Sequence, residues 1–218
     1  MTIGQVSAKM DTRLNKAASG DYDNIWSYHK EEAFYKAING WIRRQKRGKN
    51  QTQEGDEESD TRVDDLQILL KTDVLGVKNK GLFVQTDKLP ADYRYFKRLT
   101  PQVSKASCIG VTIKSHLREE ANVDDLLTMP SFNFEETFHT LINNRAHVYH
   151  NNDFTIDKVT LTYYRNPKKY SFKKLNDTVE FKDDICEILV DEACKIIASD
   201  MESFNQKGGA QERAENDN

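Results

Sequence analysis

Cysteine is scarce in this sequence. There are three in 218 residues, Cys108, Cys186 and Cys194. An odd number without paired spacing gives no disulfide framework and implies reduced, buried thiols in a cytosolic setting. No run of eighteen apolar residues occurs, which excludes a membrane-spanning helix. The opening stretch, MTIGQVSAKMDTRLNK, lacks the apolar core of a secretory signal, so export is not expected. Neither sign of charge dominates. Lys and Arg number 32 against 35 Asp and Glu, a formal net charge of −3, so no overall basic field points to nucleic acid. A Gly-rich phosphate loop, a G-x-S-x-G elbow and an internal repeat are all missing.

What is present is a long amphipathic segment, Asn24–Arg47. Ile25, Tyr28, Phe34, Ile38, Trp41 and Ile42 recur at steps of three and four, which places them on one helical stripe. Lys30, Glu31, Glu32, Lys36 and Arg43 fill the other side. Asp23 or Asn24 is placed to cap its start and Gly48 to end it. A stripe this wide needs partner helices, and the far end of the chain offers one. Lys182–Gln206 carries Ile185, Ile188, Leu189, Ile196, Ile197, Met201 and Phe204 at the same spacing. A short helix is expected over residues 1–18 through Ile3, Val6, Met10 and Leu14. A further helix is expected over Arg62–Lys71, capped by Thr61. Between them, Lys49–Thr61 has no apolar residue and reads as a loop.

From Thr72 the period changes from helix to strand. Strands are expected at Leu82–Val84, Tyr93–Thr100 and Cys108–Leu117, with one helical turn at Asn122–Met129. Thr140–His150 and Phe154–Arg165 read as a strand pair joined by the turn Asn151-Asn152-Asp153. The pattern predicts an α+β fold: a helical bundle module made by N- and C-terminal helices, with an inserted antiparallel β-domain. The expected divisions are 1–71 and 179–206 for the helices, 72–178 for the β-domain, and 207–218 as a mobile tail.

No catalytic constellation stands out. His147, His150 and Asp153 superficially resemble a metal set, but a three-residue step in a strand points the two rings to opposite faces. The pairs Asp64-Asp65, Asp124-Asp125 and Asp183-Asp184 sit where helices begin, and the helix dipole explains them. Tyr93, Tyr95 and Phe96 beside Arg94, Lys97 and Arg98 match a half-buried strand as well as a stacking platform. The basic cluster Arg43, Arg44, Lys46, Arg47 and Lys49 is the one candidate for phosphate contacts, although cations at a helix C-terminus need no ligand. No cofactor and no metal is expected.

The order of segments resembles a known family. It rests on the basic helix end, on Arg62-Val63-Asp64-Asp65-Leu66, and on Leu89-Pro90-Ala91-Asp92-Tyr93. Asn122-Val123-Asp124-Asp125-Leu126-Leu127 before Pro130-Ser131-Phe132 continues it, as do His147-Val148-Tyr149, Leu161-Thr162-Tyr163-Tyr164-Arg165-Asn166-Pro167 and the closing helix Asp183–Asn205. Together these resemble the structural neck proteins of crAss-like bacteriophages, and more distantly the tail tubular gatekeeper proteins of short-tailed phages. The loop Lys49–Thr61, acidic in its second half, and the first helix have no counterpart in that pattern. The resemblance implies a virion protein without catalysis, assembled in the bacterial host cytoplasm. It would form a homo-oligomeric ring, with twelve members, between portal protein and neighbouring tail rings. Double-stranded genomic DNA would pass through non-specifically, and the basic helix end or the acidic loop would face the channel or the next ring. Two other readings stand beside it: a cytosolic interaction module, and a metal-dependent nuclease built on His147, His150 and Asp153.

Overall fold

The computed structural model describes residues 1–17, 25–47, 64–105, 108–128, 136–150 and 153–216, with the side chains of 16, 17, 47 and 201–216 excepted. The chain is α+β, with N- and C-terminal helices flanking a β-domain. It divides into two compact units: Met1–Ile68 with Pro167–Asn218, and Leu69–Asn166.

The first unit is helical. It contains α1 (Ile3–Ala17) and α2 (Ser27–Arg47), with the C-terminal helix Asp183–Asn216 packed against both. The spacing in α1 works as expected, because Ile3, Val6, Met10 and Leu14 are all buried. In α2 the buried stripe is Ala33, Phe34, Ala37, Ile38, Trp41 and Ile42, while Tyr28 is exposed. The C-terminal helix buries Ile185, Cys186, Leu189, Val190, Ala193 and Ile197 and leaves Ile188 exposed. Full burial of each such aliphatic side chain is worth about 1.5–3 kcal/mol.

Charged pairs surround this apolar seam. Lys30 is buried, against expectation, because its ammonium reaches Asp11 of α1 at 2.5 Å and Ser7 Oγ at 3.2 Å. Arg13 contacts Glu187 and, at 2.8 Å, Asp191. Lys9 also contacts Glu187.

The segment 167–178, expected in the β-domain, belongs to the helical unit. Its Tyr170 and Phe172 are buried, with ring centroids 6.4 and 5.9 Å from that of Phe34. The C-terminal helix also runs on to Asn216, through the Gly-rich stretch expected to be a tail. The helix expected over Arg62–Lys71 is shorter: residues 64–66 are helical, Gln67–Leu69 is a 3₁₀ turn, and a strand begins at Leu70. Leu70 and Lys71 pair instead with Tyr164 and Tyr163. Asp23, Asn24, Gly48, Lys49–Thr61, 130–132 and the Asn151-Asn152 part of the proposed turn lie outside the described residues.

Among its described residues the second unit holds nine strands in two sheets. They are β1 (Leu70–Leu75), β2 (Val77–Asn79), β3 (Phe83–Thr86), β4 (Tyr93–Lys105), β5 (Cys108–Thr112), β6 (Ser115–Leu117), β7 (Thr137–Ile142), β8 (Arg145–Tyr149) and β9 (Thr155–Arg165). One sheet has the order β1-β9-β4-β5 and the other β2-β3-β8-β7-β6. Every pairing is antiparallel except β6 with β7. The helix α3 (Val123–Leu127) follows β6, and the C-terminal helix is α4 (Asp183–Asn216).

Side-chain alternation assigns each face. Val84, Ala146 and Val148 of one sheet pack with Leu99, Val103, Ile156 and Val159 of the other. On the opposite face of the five-stranded sheet, Phe138 and Tyr149 pack with Val123 of α3. The expected hairpin of Thr140–His150 with Phe154–Arg165 does not form. The first of these is itself a hairpin, β7–β8, turning at Asn143 and Asn144, whose φ values are 49° and 60°. Two consecutive positive φ angles suit a tight two-residue turn, and asparagine tolerates them. β9 pairs with β4 and β1 in the other sheet.

Candidate functional site

The residues proposed for metal binding do not converge. His147, one step from Val148, lies on the α3 side, stacked on Phe83 at 4.5 Å with Nε2 3.0 Å from Gln85 Nε2. His150 is buried with its ring 5.7 Å from Phe154. Burial lowers the pKa of both imidazoles. Among the described residues no group of three or more His, Cys, Asp or Glu is arranged to hold a metal ion.

The aromatic–cationic stretch is a sheet strand. Tyr93 packs on Tyr163 and Phe96 on His139, while Arg94 lies over Tyr95. Asp64 and Asp65 both approach Lys182 Nζ, the latter at 3.7 Å. Asp124 and Asp125 stand in the first turn of α3, and Asp183 and Asp184 in that of α4.

The basic cluster closes α2. Arg43, Arg44 and Lys46 are exposed, and Arg44 Nη1 lies 3.5 Å from Glu192 of α4. The side chains of Arg47 and Lys49 fall outside the described residues. Of the thiols, Cys186 is buried and Cys194 half-buried, and burial pushes both up to about 11. Cys108 departs from expectation by being exposed, on the edge strand β5.

Two polar groupings escaped the sequence reading because their members are far apart in the chain. In the first, the buried Tyr163 hydroxyl lies 2.7 Å from Asp92 and 2.8 Å from Asp73. Lys71 Nζ lies 3.2 Å from Asp92 and 3.6 Å from Asp73. Burial and the two carboxylates raise the phenol pKa, so it stays a donor and cannot serve as a base at neutral pH. The group cross-links β1, β9 and the turn before β4. In the second, His139 Nδ1 lies 2.8 Å from Ser115 Oγ. The imidazole is 0% exposed, its Nε2 has no hydrogen-bond partner among the described residues, and burial holds its pKa down to about 4. With the ring enclosed and Nε2 unpartnered, no third group among the described residues orients His139 as a base toward Ser115.

The edges of the four-stranded sheet differ from everything above. β1 and β5 are its outer strands, and each carries uncovered aliphatic side chains. On β1 these are Leu70 and Val74, the latter 61% exposed. On β5 they are Ile109, 83% exposed, and Val111. The charged residues of β1, Lys71 and Asp73, are tied into the Tyr163 cluster. On β5, Gly110 at φ 73° donates its amide to Ser104 Oγ at 3.2 Å and accepts from Gln102 Nε2 at 2.9 Å. The other sheet ends in β2 and β6, only three residues each, with Lys78 and His116 exposed or edge-placed. Short, charged edges resist pairing with another chain, whereas longer edges with free aliphatics invite it.

No protein-family model and no curated protein matches the sequence. Among the described residues no helix is long and apolar enough to cross a membrane.

Proposed function

We propose that this protein is a non-catalytic structural subunit that joins copies of itself, side by side, into a closed ring. In this reading the ring belongs to the head-to-tail connector of a phage, joins portal to tail and surrounds the DNA exit channel. The resemblance of segment order supports a membership of twelve and a place in the virion neck.

The observation that carries the reading is the pair of unlike edges on one sheet. β1 and β5 bound the same four antiparallel strands. With an even number of alternating strands, the two edges run in opposite directions. β5 of one copy therefore meets β1 of a like-oriented neighbour antiparallel, the geometry of strand addition. One patch meeting a different patch is a heterologous interface, and it closes into a ring when its rotation divides a full turn.

Native mass spectrometry and negative-stain electron microscopy, with and without candidate portal rings, test the proposal. The expected result is a cyclic particle built from copies of the 25.2 kDa chain. A chain that stays monomeric alone and with portal, or that forms only a one-to-one complex with an unlike partner, overturns it.

A further inference from the structure

The segment Lys168-Lys169-Tyr170-Ser171-Phe172-Lys173-Lys174 places two lysine pairs symmetrically about an aromatic–Ser–aromatic centre. The structure separates its two kinds of residue. Tyr170 and Phe172 are buried against Phe34 of α2, and all four lysines are exposed.

The strap is fixed along its length. The Lys168 amide donates to Glu180 Oε1 at 3.0 Å and the Phe172 amide to Glu31 Oε2 at 3.4 Å. The Glu180 amide donates to Tyr170 Oη at 2.8 Å. The Lys174 amide donates to the Ser171 carbonyl at 2.9 Å, closing a turn that carries the second lysine pair. Just beyond it, the Gly4 amide of α1 donates to the Leu175 carbonyl at 2.8 Å. Two carboxylates adjoining the strap thus face its backbone. Among the described residues no carboxylate forms an ion pair with Lys173 or Lys174. Lys169 Nζ lies 5.2 Å over the Tyr35 ring, which holds its stem in place without neutralising it.

We infer that this strap is a binding surface for the sugar–phosphate backbone of double-stranded nucleic acid. Four ammonium groups are point charges suited to a periodic polyanion, and the backbone that carries them is ordered in advance, which lowers the cost of binding. The absence of arginine in the segment removes the planar fork that favours bidentate readout of bases or carboxylates. The strap's rings are buried in the fold and cannot stack on unpaired bases, which selects duplex backbone over single strands. The chain's formal net charge of −3 makes the patch a local feature and not part of a general basic field. The inference is read on the isolated chain, so it stands or falls separately from ring assembly.

The test is fluorescence anisotropy of a short random-sequence duplex across about 50 to 200 mM salt. Three proteins are compared: the wild type, a variant carrying Lys168→Gln, Lys169→Gln, Lys173→Gln and Lys174→Gln, and a variant carrying Arg43→Gln and Arg44→Gln. The expected result is salt-dependent wild-type binding and at least a tenfold loss in the strap variant. The slope of log affinity against log salt is expected to fall by about 0.9 for each phosphate contact removed. Replacing the same four lysines by arginine restores binding, which separates charge from altered folding. The Arg43/Arg44 variant retains binding. Equal affinity of wild type and strap variant overturns the assignment. Binding to polyglutamate or to phosphatidylserine vesicles without duplex binding also overturns it.

Discussion

The Tyr163 hydroxyl lies 2.7 Å from Asp92 Oδ1, joining the C-terminal end of a central strand to the turn that launches β4. This hydrogen bond is the main reason the Asp92 carboxyl sits below its ordinary pKa, with Lys71 adding to it against the opposing effect of burial. Tyr163→Phe removes the donor and leaves two carboxylates facing a ring edge. The expected loss at neutral pH is about 1.5–3 kcal/mol, the range for hydrogen bonds to charged groups. A depressed carboxylate pKa gives stability that is present above the unfolded value, 3.8, and lost as pH falls through the folded value. The variant therefore loses less on acidification than the wild type. Urea denaturation at pH 7 and pH 3 measures both effects, and an unchanged difference at the two pH values would count against the pairing.

His139 has the opposite chemistry and the same direction of pH response. Its native pKa is lowered from 6.5 to about 4, chiefly by burial, with His116 adding a smaller repulsion. The unfolded chain therefore binds the proton first on acidification. Stability from this group is complete above pH 6.5, falls between pH 6.5 and 4, and is level below that. With the side chain fully enclosed, the loss over that window is about 3 kcal/mol. His139→Leu removes the titration, so its stability curve is flatter than the wild type's across the window. Denaturation midpoints at several pH values decide it, and parallel curves would show that another group is responsible.

The limits of sequence reading are physical and differ by segment. Helical periodicity is enough for α1, because Ile3, Val6, Met10 and Leu14 share one helix face and that face is the one the C-terminal helix covers. Lys30 was misplaced on the polar side because its partners, Asp11 and Ser7, lie on a different helix. The alternation of Cys108–Leu117 indicates strand but not sheet. The chain leaves one sheet after Thr112 and enters the other at Ser115. Tyr170 and Phe172 looked like part of the β-domain because nothing local reveals Phe34 as their neighbour. The Tyr163 cluster draws on residues 71, 73, 92 and 163, which the pairing of β9 with both β1 and β4 brings together.

The β7–β8 turn shows how a misread signal becomes a measurable one. Asn-Asn occurs at both 143–144 and 151–152, and the first pair makes the hairpin between β7 and β8. Asn144 sits at φ 60°, where a β-branched residue clashes with its own backbone. Asn144→Val is expected to cost about 1–2 kcal/mol. Asn144→Gly is expected to be neutral or mildly stabilising, because glycine enters that region freely and Asn-Gly is a favoured pair in such turns. Thermal melts of the two variants check this, and equal melting temperatures would contradict the turn geometry.

A head-to-tail junction through unlike edges makes a prediction that no like-to-like junction shares. Val74→Lys on β1 and Ile109→Lys on β5 each place a charge on one side of the proposed seam, at positions already exposed in the single chain. Neither change is expected to unfold the protein, since exposed substitutions away from special features stay within about 0.5 kcal/mol. Each variant alone has one damaged edge in every seam, so neither forms rings. A mixture behaves differently: the intact β5 of the Val74→Lys chain can meet the intact β1 of the Ile109→Lys chain once, and the two outer edges that remain are both damaged. Sedimentation velocity of the mixture is therefore expected to show a one-to-one heterodimer and nothing larger. If the seam instead joined β5 to β5, the Val74→Lys chain would assemble normally by itself, and the heterologous arrangement would be wrong.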